Sequence, residues 1–187
     1  WPLHPVVASL LGPIARSSFG QNQRSIFGFL NSAEPHGFQD FLKYADESQL
    51  YGPDLLWDYL RANLESSILA SSDTHRWALA REALDRCEAL GGDDLQIKLL
   101  KIIAVIDLFK ERSGLVASIN VLRSCLPEIS GKGLKDALRQ LEGWSLTTFR
   151  KFLGSYVIFA GSDFDIEQAV TSALDEVDGI DFVALRN

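Results

Sequence analysis

Five basic side chains in the second half of the chain are the residues best placed to bind a charged partner: Lys132, Lys135, Arg139, Arg150 and Lys151. The first three recur at helical spacing and would share one face of a helix, whereas the last two fall in a stretch that alternates like a strand. A basic helix beside a basic hairpin can bind nucleic-acid phosphates. Asp136 and Glu142 give the helix both signs of charge, which is typical of a solvated or protein-packing face. We therefore expect these residues to contact a partner, with protein favoured over nucleic acid.

The sequence lacks the local patterns that support catalysis or metal binding. His4, His36 and His75 stand singly in separate segments, whereas a zinc site needs clustered ligands. The Gly-x-x-x-x-Gly-Lys-Ser/Thr pattern of a phosphate-binding loop is absent. A Ser/His/Asp or Cys/His arrangement would need partners that meet only in space, and no local pattern favours one. We expect this chain to have no catalytic residues, no metal site and no cofactor of its own.

Composition indicates a globular protein that is a piece of something longer. The 187 residues are 47% hydrophobic and 23% charged, which excludes wholesale disorder. No apolar run is long enough to span a bilayer, so we expect no membrane contact and a cytoplasmic location. Cys87 and Cys125 are expected to be free thiols. The chain begins with Trp1 and has no methionine, so we expect a fragment of a longer polypeptide, with a processed mature chain as the weaker alternative.

The net charge of −7 is unevenly distributed. Residues 1–111 carry 10 basic and 15 acidic side chains, and residues 161–187 carry 1 basic and 7 acidic side chains. Residues 112–160 carry 7 basic and 3 acidic side chains and are therefore positive. A basic region thus lies between two acidic ones, and its sign alone would suit an anionic partner.

Helical spacing dominates the first half of the chain. The predicted helices cover 4–18 with a kink or break at Gly12-Pro13, 22–30, a short stretch from about 36, 53–69 and 74–90. Pro53 suits the first turn of its helix. Ser72-Asp73 can cap the fifth helix, and Gly91 can end it.

The second half is predicted to hold three helices, a hairpin and a final helix. The helices cover 95–109, which is apolar on most faces, 115–125 and 133–142. The hairpin covers 146–151 and 155–159, and a last helix begins near Asp163 and Asp165, whose carboxylates suit a helix N-terminus. Three helices followed by a hairpin is the order of a winged helix. The predicted fold class is mainly α: a helical bundle over 1–92 followed by a winged-helix module over 93–187.

Two groups of residues carry a resemblance to a known class of protein. The first comprises Leu3-His4-Pro5, Phe19, Gln21-Asn22, Arg24-Ser25, Phe27, Phe29-Leu30, Ser32 and Glu34-Pro35-His36-Gly37-Phe38. The second comprises Leu99-Leu100-Lys101, Ile103, Leu108-Phe109, Ser113-Gly114-Leu115, Ser145-Leu146, Arg150, Ser155-Tyr156 and Gly161-Ser162-Asp163-Phe164-Asp165-Ile166. Together they resemble the region downstream of the P-loop core in large bacterial ATP-binding proteins. Those proteins are related to AAA+ and STAND-type ATPases, and several are linked to antiphage defence.

The resemblance implies a helical lid and a winged helix that relay the nucleotide state of an upstream core. It implies ATP and magnesium in the parent protein, an upstream P-loop domain of the same chain as partner, and a homo-oligomer as a further option. Arg24, with Asn22 beside it, matches the position of a nucleotide-sensing arginine. Gln23 departs from the pattern, since many relatives carry Glu there, so no carboxylate role is carried over to it. From the residues alone, Asn22 as a helix cap beside an exposed Arg24 is the favoured reading of this site.

The expected function is therefore that of a non-catalytic regulatory region. It would couple an upstream nucleotide-binding core to conformational change or partner binding. A winged-helix regulator that binds DNA through the five basic residues is the alternative.

Overall fold

The computed structural model describes residues 2–17 and 24–161, with only the backbone at residues 24 and 25. The described part is mainly helical and carries one small antiparallel hairpin, as the sequence predicts. In chain order the elements are α1 (Pro5–Ala15), α2 (Arg24–Asn31), α3 (Phe38–Leu42), α4 (Pro53–Leu69), α5 (Thr74–Ala89), α6 (Asp94–Ser113), α7 (Ile119–Cys125), α8 (Gly131–Gly143), β1 (Thr147–Arg150) and β2 (Ser155–Ile158). The predicted final helix near Asp163 and Asp165 lies outside the described residues.

Helix α1 continues through the proline that was expected to interrupt it. It begins after His4, whose Nδ1 accepts a hydrogen bond from the Val6 amide, and it includes Pro13. A proline inside a helix removes one backbone hydrogen bond. Pro13 and Ile14 are both buried, so packing against the core holds this last turn in place. The predicted break is therefore wrong, because tertiary burial outweighs the local preference.

Helix α6 is the central element of the fold. Asp93 and Gln96 form a reciprocal capping box at its start, and Gly114, at φ 69°, ends it in the left-handed conformation. Its 20 residues span about 30 Å, and most of its faces are buried, as its all-round apolar pattern predicts. It packs against α1, α4 and α5 from the first half and against α7, α8 and β2 from the second. The described buried side chains of both halves form a single hydrophobic cluster.

Three helix boundaries of the second half differ from the prediction by more than one residue, and the first is the end of α6, which lies at Ser113 instead of Phe109. Helix α7 begins at Ile119, four residues later than expected, because Ser118 caps it and Ala117 is used as a strand residue. The amide of Tyr156 donates to the Ala117 carbonyl at 3.0 Å, so Ala117 pairs with the hairpin through an isolated antiparallel β-bridge. Helix α8 begins at Gly131, two residues early, because the Ser130 hydroxyl accepts the Gly133 amide.

The helix-capping role predicted for Asp73 is wrong. Asp73 stands at the N-cap position of α5, but its side chain makes no capping hydrogen bond. Its buried carboxylate instead accepts from Nη1 of Arg112 at 3.0 Å, on α6. A charged guanidinium stabilises a nearly buried carboxylate more strongly than a hydrogen bond from a backbone amide does.

One face of the hairpin is buried at its base and becomes more exposed towards its tip. Thr147 pairs with Ile158 and both are buried, whereas Phe149 pairs with Tyr156 with ring centroids 5.0 Å apart. Gly154, at φ 60°, completes the tight turn of residues 151–154. The hairpin is thus anchored at its base, and its tip projects from the molecule.

Candidate functional site

The predicted nucleotide-sensing pair is not placed by the structure. Asn22 lies outside the described residues, and Arg24 is described only by its backbone, as the first residue of α2. Beyond the end of α2, Oε2 of Glu34 accepts from the Tyr59 hydroxyl at 2.7 Å, which joins this segment to α4. Burial and this carboxylate raise the pKa of Tyr59 above its usual range. The assignment of Arg24 and Asn22 as nucleotide sensors stays a prediction.

Three of the predicted basic contact residues share the exposed side of α8. Lys132, Lys135 and Arg139 are all exposed, while Leu134 and Leu138 point into the core. Nη1 of Arg139 also donates to Oδ1 of Asp136 at 3.3 Å, so this cation is partly offset. The helix therefore presents both signs of charge to solvent, as expected from its sequence.

The aromatic face of the hairpin adjoins the end of α8. The Phe149 amide donates to Oε1 of Glu142 at 3.2 Å. Burial and the Glu142 carboxylate raise the pKa of the Tyr156 phenol, whereas Arg139 opposes that rise. These interactions place Phe149 and Tyr156 next to the C-terminal turns of α8.

The tip of the hairpin is apolar as well as basic. Lys151 is exposed there, as predicted, but so are Phe152, at 65% exposure, and Leu153. We call the combined region the hairpin–α8 surface, defined by Lys132, Lys135, Arg139, Phe149, Lys151, Phe152 and Leu153. Exposed aromatic side chains beside cations are typical of a surface that contacts another macromolecule. Sequence reasoning missed its apolar members, although the break of strand alternation after Phe149 could have indicated them.

Arg150 is separated from the other predicted contact residues. It ends β1 half-buried and lines a cavity together with His75 and Arg76 of α5 and Lys110 of α6. Alternation along β1 places its side chain on the opposite face of the hairpin from Phe149. The structure thus divides the five predicted residues into four on the hairpin–α8 surface and one at the junction of the two halves.

An open groove of about 660 Å³ runs along α5. Glu65 accepts a hydrogen bond from Nε1 of Trp77 at 3.0 Å and forms an ion pair with Arg81 in the same groove. These polar groups therefore serve to join α4 to α5.

Nothing in the described part of the chain resembles a metal centre. Among residues 2–17 and 24–161, no three His, Cys, Asp or Glu side chains come close enough to hold an ion. Cys87 and Cys125 are free, and burial raises the pKa of the Cys125 thiol to about 12. No described helix is long and apolar enough to cross a membrane.

Comparison with known proteins adds no relative. No protein-family model, no curated protein and no solved structure matches the chain significantly. The functional argument therefore depends on the residues and their geometry.

Proposed function

We propose that this chain is a non-catalytic regulatory region of a larger ATP-binding protein. In this proposal the helical bundle acts as a lid on an upstream P-loop core, and the second half is a winged helix that transmits the state of the lid to a partner surface. The upstream core would bind ATP and magnesium, and this chain would couple the nucleotide state of the core to the partner surface. In this proposal the lid comprises residues 1–92 and the winged helix comprises residues 93–187.

The observation that carries the proposal is the position of α6. Its apolar residues are buried on most faces, and the helix packs against α1, α4 and α5 as well as α7, α8 and β2. Close-packed interiors transmit displacement because their side chains have little free space. A shift of the bundle would therefore move α6 and, with it, the base of the hairpin.

The order of the elements in the second half supports the winged-helix part of the proposal. It contains α6, a short strand residue at Ala117, α7, α8 and the β1–β2 hairpin in that order. The Ala117–Tyr156 pairing ties the segment before α7 to the hairpin. In DNA-binding members of this architecture the third helix, here α8, enters the major groove.

The hairpin–α8 surface favours protein as the partner. A wing that binds DNA presents cations to the phosphates of the DNA backbone. The tip of this hairpin instead exposes Phe152 and Leu153 beside Lys151. Arg150 instead lines the cavity between α5, α6 and the hairpin. The apolar tip suits the surface of an ATP-binding core or of a second copy of the chain.

The test of the relay uses the full-length polypeptide. Arg24→Ala should lower ATP turnover or its coupling to nucleotide-dependent assembly several-fold while the circular dichroism spectrum is unchanged. Arg16 is an exposed arginine at the end of α1, and Arg16→Ala is the control. Unchanged turnover and unchanged assembly in Arg24→Ala would remove the nucleotide-sensing role.

A DNA-binding regulator is the second candidate, and the exposed Lys132 and Lys135 on α8 favour it. Fluorescence anisotropy with duplex DNA at low salt separates the two. Binding that weakens steeply with salt and is lost in Lys135→Glu supports the regulator. No binding at micromolar protein supports the relay.

A further inference from the structure

Three lysines of the hairpin–α8 surface keep their charge without a carboxylate partner in the described part of the chain. Lys132, Lys135 and Lys151 are all exposed, and none of them forms an ion pair within those residues. The two carboxylates of α8 interact with other groups, since Asp136 pairs with Arg139 and Glu142 accepts from the Phe149 amide. The three ammonium groups are therefore available to an anionic segment.

The same surface also exposes apolar side chains. Phe149, Phe152 and Leu153 are exposed, and Phe152 is the most exposed of the three. Covering such side chains removes apolar area from water, which is favourable. A segment that fits this surface must therefore carry carboxylates together with apolar residues.

The last 26 residues of the chain have this composition. Residues 162–187 carry 7 acidic side chains and 1 basic side chain. Three of the acidic residues lie within 163–167 and four within 175–181, while the stretch 168–174 between them is uncharged. Ile166, Val170 and Leu174 recur at four-residue spacing, which is typical of an amphipathic segment. The segment therefore has carboxylates on both sides of an apolar stretch.

The start of this segment is tethered close to the surface. Strand β2 ends at Ile158, which pairs with Thr147 at the base of the hairpin. At ~3.3 Å per residue along β2, the path back to the tip is about 20 Å. A segment of 26 residues is long enough to cover that distance. Because a short tether gives an effective concentration on the order of millimolar, even a weak contact would be well occupied.

We propose that residues 162–187 bind to the hairpin–α8 surface of their own chain. Their carboxylates pair with the three lysines, and their apolar residues cover the exposed side chains of the hairpin. The bound segment competes with any other partner for this surface, which makes the contact autoinhibitory. The proposal does not depend on the function proposed above, because it requires neither ATP nor an upstream core.

Carbodiimide coupling of the 187-residue chain tests this contact, because the reagent joins an amine directly to a carboxylate that touches it. Mass spectrometry of the monomer identifies the joined residues. Lys132, Lys135 and Lys151 should couple to acidic residues of 162–187 at least fivefold more than Lys98, an exposed lysine of α6. Added salt should lower these yields by screening. Equal yields at all four lysines would overturn the proposal, and so would coupling confined to dimers, which would indicate a second copy as the occupant.

Variants of the surface separate docking from the effect of the tether alone. Lys132→Glu combined with Lys135→Glu should lower coupling at Lys151 at least threefold, because the segment loses two of its partners. Lys98→Glu is the matched control and should leave this yield unchanged. All of these positions are exposed, so the circular dichroism spectrum should stay that of the parent chain. An unchanged yield at Lys151 in the double variant would contradict the proposal.

The apolar part of the contact has its own test. Phe152→Ser should also lower coupling at Lys151 at least threefold, whereas Tyr44→Ser, a change of an exposed aromatic residue far away in the chain, should not alter it. Equal yields in the two variants would show that the hairpin tip does not bind the segment and would contradict the proposal.

Discussion

The helices α4, α5 and α6 use their charged side chains differently from the hairpin module, which comprises α7, α8, β1 and β2. Ion pairs join the three helices to one another: Lys101 on α6 lies 2.8 Å from the Asp58 carboxylate on α4, and Arg112 on α6 holds Asp73 at the start of α5. Arg81 of α5 likewise pairs with Glu65 of α4. These charges position one helix against another.

In the hairpin module, the ion pair between Arg139 and Asp136 is local. The two residues lie one turn apart on α8, at 3.3 Å, and both are well exposed. Lys132, Lys135 and Lys151 are also exposed, as are Phe152 and Leu153 at the hairpin tip. Ion pairs between α4, α5 and α6 thus position these helices, whereas these cations of the hairpin module face solvent.

Truncation of the central aromatic stack should have the largest effect on stability. Trp77 stacks on Trp57 with ring centroids 4.3 Å apart, is 1% exposed, and donates to Glu65. Trp77→Ala should lower the free energy of unfolding by about 3–5 kcal/mol, since it opens a cavity and leaves Glu65 without this donor. Urea denaturation followed by circular dichroism measures the change. A loss below ~1 kcal/mol would show that the stack does not hold the bundle together.

The ion pairs of the two regions should differ in strength. The Asp73 side chain is 6% exposed, so Arg112→Gln should cost about 2–3 kcal/mol by leaving a buried carboxylate without its cation. Arg139→Gln is the matched change in the module, where the arginine side chain is 75% exposed, and it should cost less than ~0.5 kcal/mol. Urea denaturation of both variants checks the difference. Equal costs would break the contrast between the regions.

Alkaline pH should weaken the bundle through its buried tyrosines. Burial, together with the carboxylate of Asp58, raises the pKa of Tyr51 well above its usual range, and its hydroxyl donates to the carbonyls of His36 and Leu55. A group whose pKa is raised by folding contributes stability that is complete below its unfolded pKa, about 10 for tyrosine, and is lost as pH rises above it. The free energy of unfolding should therefore fall as pH rises above about 10.

The matched variants for this pH effect are Tyr51→Phe and Tyr44→Phe. Tyr51→Phe should flatten the alkaline decline, because the buried ionisable group is gone. Tyr44 is 84% exposed, so Tyr44→Phe should leave the decline as steep as in the parent chain. Urea midpoints at pH 8, 10 and 11 give the slopes, and an identical slope in Tyr51→Phe would contradict the assignment.

Polar substitution at the hairpin tip should have the smallest effect on stability. Phe152 is largely exposed and follows the end of β1, so Phe152→Ser should change the free energy of unfolding by less than ~0.5 kcal/mol. Thermal or urea unfolding measures this. A loss above ~1 kcal/mol would mean that the side chain supports the fold and is not reserved for a partner.

Local sequence signals predicted most of the helices. Pro53 marked the start of α4, and the all-round apolar pattern of α6 indicated its central position. Local signals gave wrong predictions where contacts between residues distant in sequence determine the structure. Ala117 pairs with Tyr156, so α7 is shorter than predicted, and the Asp73 carboxylate pairs with Arg112 instead of capping α5.

The candidate site was predictable only in part, for the same reason. Helical spacing was enough to place Lys132, Lys135 and Arg139 on one side of α8. The cavity between α5, α6 and the hairpin was not predictable, because its lining includes His75, Lys110 and other residues that no local pattern connects. The apolar hairpin tip was also missed, since exposure of an aromatic side chain depends on which face the core takes.

The central claim, that the chain relays the nucleotide state of an upstream core, is tested most directly by ATP turnover of the full-length polypeptide with and without Phe152→Ser. The account predicts that the parent protein hydrolyses ATP and that Phe152→Ser changes turnover at least threefold, because the hairpin tip no longer docks. Tyr44 is an aromatic residue of the bundle that is even more exposed than Phe152, and Tyr44→Ser should leave turnover unchanged. Absence of ATP turnover in the parent protein, or equal turnover in the parent protein and Phe152→Ser, would contradict the account.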